Sequence, residues 1–330
     1  SARTIIARAA QGLREKGIKS IILDRDTFDN VDVESDKLLV DTLKEAGILI
    51  GLKTDAGLAD DLDSPLVDNP DPKKRSDGQI RVEKLPKPTS IPNLTQLLED
   101  HADTGIVFTK WRIVTAIDSK AGLPREANIR ANSKILARSA KMTQLAGLVP
   151  MVEPEVLFDG EHDINASQEA SEAAIRILFE ELANEGVWLE GMILKTSMVL
   201  AGKAAKQSAA SEVGFQTLVA LLKTVPSEVP AIVFLSGGQK DDQVNQNLNQ
   251  VSLTRLNNFT TAKSTAVAEL ATEGRADVTR KVQSYTQAPW KISYSFGRGL
   301  VGPGYRVTIN EAAKINEAIA ALHGAAAITQ

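Results

Sequence analysis

Seven short apolar runs recur along the chain, separated by longer segments whose apolar positions repeat at helical spacing. The runs lie at 18–24, 47–52, 105–108, 148–152, 192–194, 231–235 and 290–295. Most are rich in Ile, Leu and Val without polar interruption, which predicts strands buried on both faces; the last alternates apolar and polar positions. Helices are predicted over 37–46, 93–102, 124–146, 213–222, 261–284 and 310–322. One more helix carries Ala174, Ile175, Leu178, Phe179 and Leu182 on a single face, and residues 1–16 read as an opening helix. Strands alternating with helices, with no hairpin signals between them, predict parallel βα units and an α/β fold.

The length of 330 residues accommodates either two domains or one α/β barrel with insertions. Two stretches read as insertions into a single barrel domain spanning 1–330. Residues 56–92 hold Asp60, Asp61, Asp63, an Asn69-Pro70-Asp71-Pro72 turn and Lys73-Lys74-Arg75, and predict a loop with solvated charges. Residues 240–288 are polar and rich in Asn and Gln at first, then helical from 261 to 284. Residues 299–330 predict a C-terminal helix and a tail of small residues.

Composition narrows the chemistry more than the fold. Hydrophobic residues make up 43% of the chain, and the formal net charge is -4, with 38 basic residues against 42 acidic ones. That balance leaves no electrostatic footprint for nucleic acid, and no apolar run approaches the ~18 residues of a membrane span. The chain has no cysteine and three histidines, His101, His162 and His323, none in an HxH or HExxH pattern. Disulfides, thiol nucleophiles and thiolate zinc sites are thereby removed, a histidine-bound catalytic metal is not expected, and a reducing compartment suits the chain. The sequence opens at Ser1 without a methionine, so either a segment is removed or the chain is incomplete.

What the apolar runs end in is more informative. Six of the seven lead into polar or glycine-rich groups: Lys53, Lys110 with Arg112, Glu153 with Glu155, Lys195, Ser236-Gly237-Gly238, and Gly297-Arg298. In a parallel barrel the carboxyl ends of the strands converge on one mouth, so these residues become neighbours. A doubly wound open sheet would distribute them along a crevice instead; the even recurrence favours the barrel. Glycine-rich turns after strands present N–H groups to phosphate oxygens, and an arginine adds a charge-assisted fork. Leu235-Ser-Gly-Gly-Gln239 also spells the signature of ATP-binding cassette proteins, but that reading requires a GxxxxGK[ST] loop, which this chain lacks.

Lys195 is the candidate nucleophile. A free lysine titrates near 10.4, so an amine reactive at neutral pH must be made easier to deprotonate by about 4 to 5 kcal/mol. A dry pocket and a second cation both act in that direction, and Lys110 is a candidate for the cation. Attack on a ketone gives a carbinolamine whose loss of water needs a positioned acid, and Glu153 is the nearest candidate by strand order.

Several segments, in order, resemble the motifs of class I fructose-bisphosphate aldolases. They are Thr109-Lys-Trp-Arg112, Gly147-Leu-Val-Pro-Met-Val-Glu-Pro-Glu-Val-Leu-Phe-Asp-Gly-Glu-His-Asp163, Leu189-Glu-Gly-Met-Ile-Leu-Lys195, Phe234-Leu-Ser-Gly-Gly-Gln239 and Tyr294-Ser-Phe-Gly-Arg298. The resemblance implies a (β/α)8 TIM barrel, usually a homotetramer, that works without metal or other cofactor. Its reaction is the reversible cleavage of fructose 1,6-bisphosphate to dihydroxyacetone phosphate and glyceraldehyde 3-phosphate. It implies Lys195 as the Schiff-base lysine, Glu153 as the proton-transfer group, Lys110 as its electrostatic partner and Glu155 in support. Ser236, Gly237, Gly297 and Arg298 would hold the C1 phosphate, Lys53 and Arg112 would face the other phosphate, and Asp55 follows Lys53 as in the family motif. The implied setting is the cytoplasm, or a plastid if a transit peptide precedes Ser1, with a phosphorylated sugar as the partner and neither nucleic acid nor membrane.

The chain also departs from that pattern. Thr196-Ser197 stands where the family has Pro-Asn, and the stretch before Trp290 is longer. The family's first strand, with its Asp-Glu-Ser motif and catalytic aspartate, and its carboxyl-terminal tyrosine have no counterpart; Asp24 and Asp26 follow the family's second strand. These departures keep a rival reading open, a sugar-phosphate-binding barrel or scaffold without full catalysis.

Overall fold

The computed structural model describes residues 12–25, 31–32, 37–68, 79–88 and 91–295. Their centre is a sheet of seven parallel strands: β1 (Ser20–Leu23), β2 (Leu49–Lys53), β3 (Ile106–Thr115), β4 (Val149–Val156), β5 (Ile193–Thr196), β6 (Ala231–Phe234) and β7 (Lys291–Tyr294). Spatial order equals chain order, so each strand pairs with its sequence neighbours, and among the described residues β1 and β7 form the two edges. Helices α1 (Leu39–Glu45), α2 (Leu94–Asp100), α3 (Glu126–Leu145), α4 (Ile164–Asn184) and α5 (Ala210–Thr224) supply the crossovers up to β6. Between β6 and β7 lie three more, α6 (Asp241–Asn257), α7 (Phe259–Thr272) and α8 (Ala276–Ser284). This is the plan of an α/β barrel of (β/α)8 type, with seven of its strands among the described residues.

The charged residues expected just beyond β3, β4 and β5 stand inside those strands. The expected ends lay near Phe108, Val152 and Leu194, but the strands run on to Thr115, Val156 and Thr196. Reading apolar runs stops at the first charge, while a strand with one polar and one apolar face continues by alternation. Trp111, Ile113 and Val152 join the core between sheet and helices, whereas Lys110, Arg112, Glu153 and Glu155 share the opposite face. Beneath the charges the interior closes on itself: Gly51 and Phe108 lie level on β2 and β3, and the Phe108 ring fills the space a Cβ on Gly51 would need.

Three other expectations are corrected. Residues 56–92 are not wholly irregular, since Leu58–Asp60 pairs with Lys84–Pro86 and Val67–Asp68 with Gln79–Ile80, both antiparallel. Nor are their charges all solvated. Asp61 and Glu83 are buried, with Arg125 Nη2 2.5 Å from Asp61 Oδ2, Arg125 Nε 2.6 Å from Glu83 Oε2, and Asn128 Nδ2 2.8 Å from Asp61. The polar start of 240–288 forms α6, and the helix expected over 261–284 breaks into α7 and α8 around Gly274, whose φ of 71° favours glycine. The expected helix over 37–46 begins only at Leu39, because Lys37–Leu38 pairs with Val31–Asp32.

The extra helix α7 is fastened to the barrel by a buried cation. Lys223 Nζ on α5 lies 2.6 Å from Glu172 of α4, 2.9 Å from Glu269 of α7 and 2.8 Å from Glu273. Among the described residues no helix is long and apolar enough to cross a membrane. Gly297, Arg298 and the helix expected over 310–322 lie outside the described residues, as do residues 1–11 of the expected opening helix and the Asn69 to Arg75 turn and basic run.

Candidate active site

Parallel register brings the charged positions of successive strands to similar heights. Lys53 is level with Lys110, and Arg112 with Glu153. From this register grows a chain of alternating charge across five strands. Lys195 Nζ lies 3.2 Å from Glu153 Oε1, and Glu153 Oε2 lies 3.1 Å from Lys110 Nζ. Lys110 Nζ is 3.4 Å from Asp55 Oδ2, and Asp55 Oδ1 is 3.0 Å from Lys53 Nζ. Lys53 in turn reaches Asp24 at 3.6 Å, whose side chain is 69% exposed, so the chain runs from a buried amine out to solvent.

Burial sets the electrostatics at the inner end. Lys195, Glu153, Lys110 and Asp55 are all buried. Desolvation pushes the Lys195 amine below the ordinary lysine range; Glu153 opposes this and Lys110 adds to it. Burial alone would raise the Asp55 carboxyl, but Lys110 and Lys53 outweigh it and hold the group below the ordinary aspartate value. The contact between Glu153 Oε2 and Lys110 is an ion pair rather than an aligned hydrogen bond. Glu153 therefore has one oxygen towards the candidate nucleophile and the other towards a cation.

Arg112 and Glu155 form a second pair beside this chain, Arg112 Nε donating to Glu155 Oε2. Burial would lower the Arg112 guanidinium, but Glu155 more than compensates and raises it. After β6, Ser236-Gly237-Gly238 turns sharply, with φ of 60° at Gly237 and 88° at Gly238. The Gln239 side-chain amide donates to the Ser236 carbonyl at 3.0 Å, and Asn247 Nδ2 of α6 donates to Gln239 Oε1 at 2.7 Å. The turn is thus tied to a helix through one buried glutamine.

A family model for glycolytic class-I fructose-bisphosphate aldolase matches residues 87–329. The chain belongs to the class-I fructose-bisphosphate aldolase family. It is similar to fructose-bisphosphate aldolase B of Gallus gallus, with 33% identity over 286 residues, which is 86% of this chain and 65% of that protein. It is also similar to a probable fructose-bisphosphate aldolase class 1 of Xanthomonas axonopodis pv. citri, with 37% identity over 255 residues, 77% of this chain and 61% of the relative. The match therefore spans less than two thirds of the length of these relatives. Among solved structures, the fructose-bisphosphate aldolase of Plasmodium falciparum, in ternary complex with TRAP and a small-molecule inhibitor, superposes with a TM-score of 0.80 at 27% identity. That superposition covers 99% of this chain and 80% of the other.

In this aldolase-family chain the residues singled out from sequence fall into three groups. Lys195, Glu153, Lys110, Asp55 and Lys53 are joined by direct contacts, and Arg112 with Glu155 forms the adjoining pair. Ser236 and Gly237 occupy their own turn after β6, and Gly297 and Arg298 are not among the described residues. Gln239, Asp24 and Thr54 touch these groups and Asn247 holds Gln239, and none of the four was singled out. Gln239 belongs to the quoted Ser-Gly-Gly-Gln motif, which was the available signal, while Asn247 eight residues on and the Asp24 contact with Lys53 gave none.

Proposed function

We propose that this chain is a Schiff-base aldolase that cleaves fructose 1,6-bisphosphate reversibly to dihydroxyacetone phosphate and glyceraldehyde 3-phosphate. The observation that carries the reading is the buried Lys195 amine 3.2 Å from Glu153, with Lys110 on the far oxygen of that carboxylate. Lys195 passes a proton to Glu153, which leaves a neutral amine beside a carboxylic acid. The amine attacks the C2 carbonyl, and Glu153 returns the proton to the carbinolamine hydroxyl as water departs. Lys110 stabilises the carboxylate that remains. That carboxylate takes the C4 hydroxyl proton, the C3–C4 bonding electrons move into the iminium, and the aldehyde leaves an enamine. Protonation at C3 and hydrolysis then release dihydroxyacetone phosphate and restore Lys195.

In the same reading Ser236, Gly237, Gly297 and Arg298 hold the C1 phosphate, and Lys53 with Arg112 faces the second. The bonds from Gln239 and Asn247 support this by fixing the turn that aims backbone N–H groups. The family reading further carries a cytoplasmic homotetramer, tested by sedimentation and cell fractionation. The deciding experiment is borohydride reduction with dihydroxyacetone phosphate, then mass analysis of the peptide containing Lys195. A label on Lys195 is expected. Phosphate-dependent binding without that label would replace this reading with a sugar-phosphate-binding barrel.

A further inference from the structure

The pairing between β4 and β5 stops where the chemistry begins. Met151 is registered with Ile193 and Val152 with Leu194, and the registered pairs go no further. On the flanking sides the ladders continue, β3 with β4 up to Thr115 and Val156, and β5 with β6 up to Thr196 and Phe234. The two central strands therefore part at the level of Glu153 and Lys195. One side chain rejoins them beyond the gap. The Ser197 hydroxyl donates to the Val156 carbonyl at 3.0 Å and accepts from the Val156 N–H at 3.1 Å, and both residues are buried.

We infer that Ser197 is a positioning residue whose hydroxyl stands in for the missing rungs and sets the span across which Lys195 and Glu153 exchange a proton. The inference rests on Lys195 being the imine-forming amine. A hydroxyl can give and take a hydrogen bond at once, which is what one residue's N–H and C=O together require. This also explains the departure at this position, because the asparagine of the family motif carries a donor and an acceptor as well. Without such a group, the buried N–H and C=O of Val156 would draw water between the strands beside the reacting pair.

The test compares the wild-type chain with Ser197→Ala, Ser197→Val and Ser197→Thr, the last two matched in bulk but differing in the hydroxyl. Borohydride trapping of dihydroxyacetone phosphate on Lys195 should slow about ten-fold in the Ala and Val variants and stay within about two-fold of wild type in the Thr variant. Competitive acetylation of Lys195, followed over pH without substrate, should show its midpoint moving upward in the Ala and Val variants, as water relieves the burial, and returning with Thr. Unchanged trapping and midpoint in Ser197→Ala, or equal losses in the Thr and Val variants, would overturn the inference. A wild type that never traps the ketone fails the proposed function, while the acetylation comparison still decides the placement of Lys195. Should neither the Ala nor the Val variant fold, hydrogen exchange at the wild-type Val156 amide decides: strong protection is expected, and exchange at the rate of a free amide overturns the clamp.

Discussion

Lys195 Nζ and Glu153 Oε1 lie 3.2 Å apart, on adjacent strands whose pairing has stopped just below them. The amine is pushed towards its neutral form chiefly by burial, and Glu153 is the group that opposes this most. The amine and the carboxylate are in direct contact, which is the geometry a proton exchange between them requires. Lys110, 3.1 Å from the other carboxylate oxygen, places a cation on the far side of Glu153.

Glu153→Gln removes the exchange while preserving the shape of the side chain. Imine formation, followed as the rate of borohydride-trapped label, should slow by ~10²-fold or more, with phosphate affinity nearly unchanged. Trapping at the wild-type rate would remove Glu153 from the mechanism.

Lys195→Met tests the electrostatics through stability. The folded-state value of Lys195 lies below its unfolded value, so between the two the unfolded chain holds more protons and stability rises with pH. Below the lowered value the charged, buried amine destabilises the fold in full. Methionine escapes this, and Glu153 keeps Lys110 as its partner. A gain of about 1 kcal/mol, or roughly 1 to 2 °C in Tm, is expected near neutral pH. The gain should shrink as pH climbs through the lowered value and vanish above the ordinary lysine range. A variant less stable than wild type at neutral pH would mean that the ion pair outweighs burial.

How far the molecule was legible in its sequence depends on where the partner of each residue lies. The seven strands announced themselves as apolar runs, and Lys195 stood out because such a run ends in it. Asp61 and Glu83 did not, because their partner Arg125 is 64 and 42 residues away and nothing local marks the pairing. Helix α6 was missed for a different reason. Its buried positions Val244, Asn247, Val251 and Thr254 keep helical spacing, but two of the four are polar, so a hydrophobic pattern could not reveal them. Ser197 was visible only as an oddity beside the lysine. Its role depends on the point at which two ladders diverge, which no local pattern encodes.

Asn247→Leu separates the proposed phosphate-binding role of the turn after β6 from the amine chemistry. The amide of Asn247 holds Gln239, which holds the Ser236 carbonyl, so its loss frees the turn while leaving Lys195 and Glu153 in place. Binding of dihydroxyacetone phosphate should weaken by about 1 to 2 kcal/mol, and unphosphorylated dihydroxyacetone should be little affected. Equal weakening for both ligands, measured by competition against the trapping reaction, would show that Asn247 serves packing alone.

Lys223→Met should damage the fold rather than the chemistry. Its side chain is 4% exposed, and although burial works against the charge, Glu172, Glu269 and Glu273 outweigh it and hold the wild-type cation above the ordinary lysine value. That stabilisation is complete below the unfolded lysine value and is lost only as pH rises through the raised one. Removing the cation leaves three carboxylates facing one another, with Glu172 already raised by its burial. Because the side chains of Glu269 and Glu273 are 38% and 39% exposed, water screens part of the repulsion, and a loss of about 3 kcal/mol is expected rather than more. The deficit should shrink as pH falls into the carboxylate range, since protonation discharges the carboxylates that have lost their shared cation. Amide exchange in Phe259–Thr272 should accelerate more than in the strands, because Glu269 brings α7 to this anchor. A deficit that stays constant on acidification, or exchange that rises uniformly through the barrel, would show that Lys223 is held by packing and that α7 needs no ionic anchor.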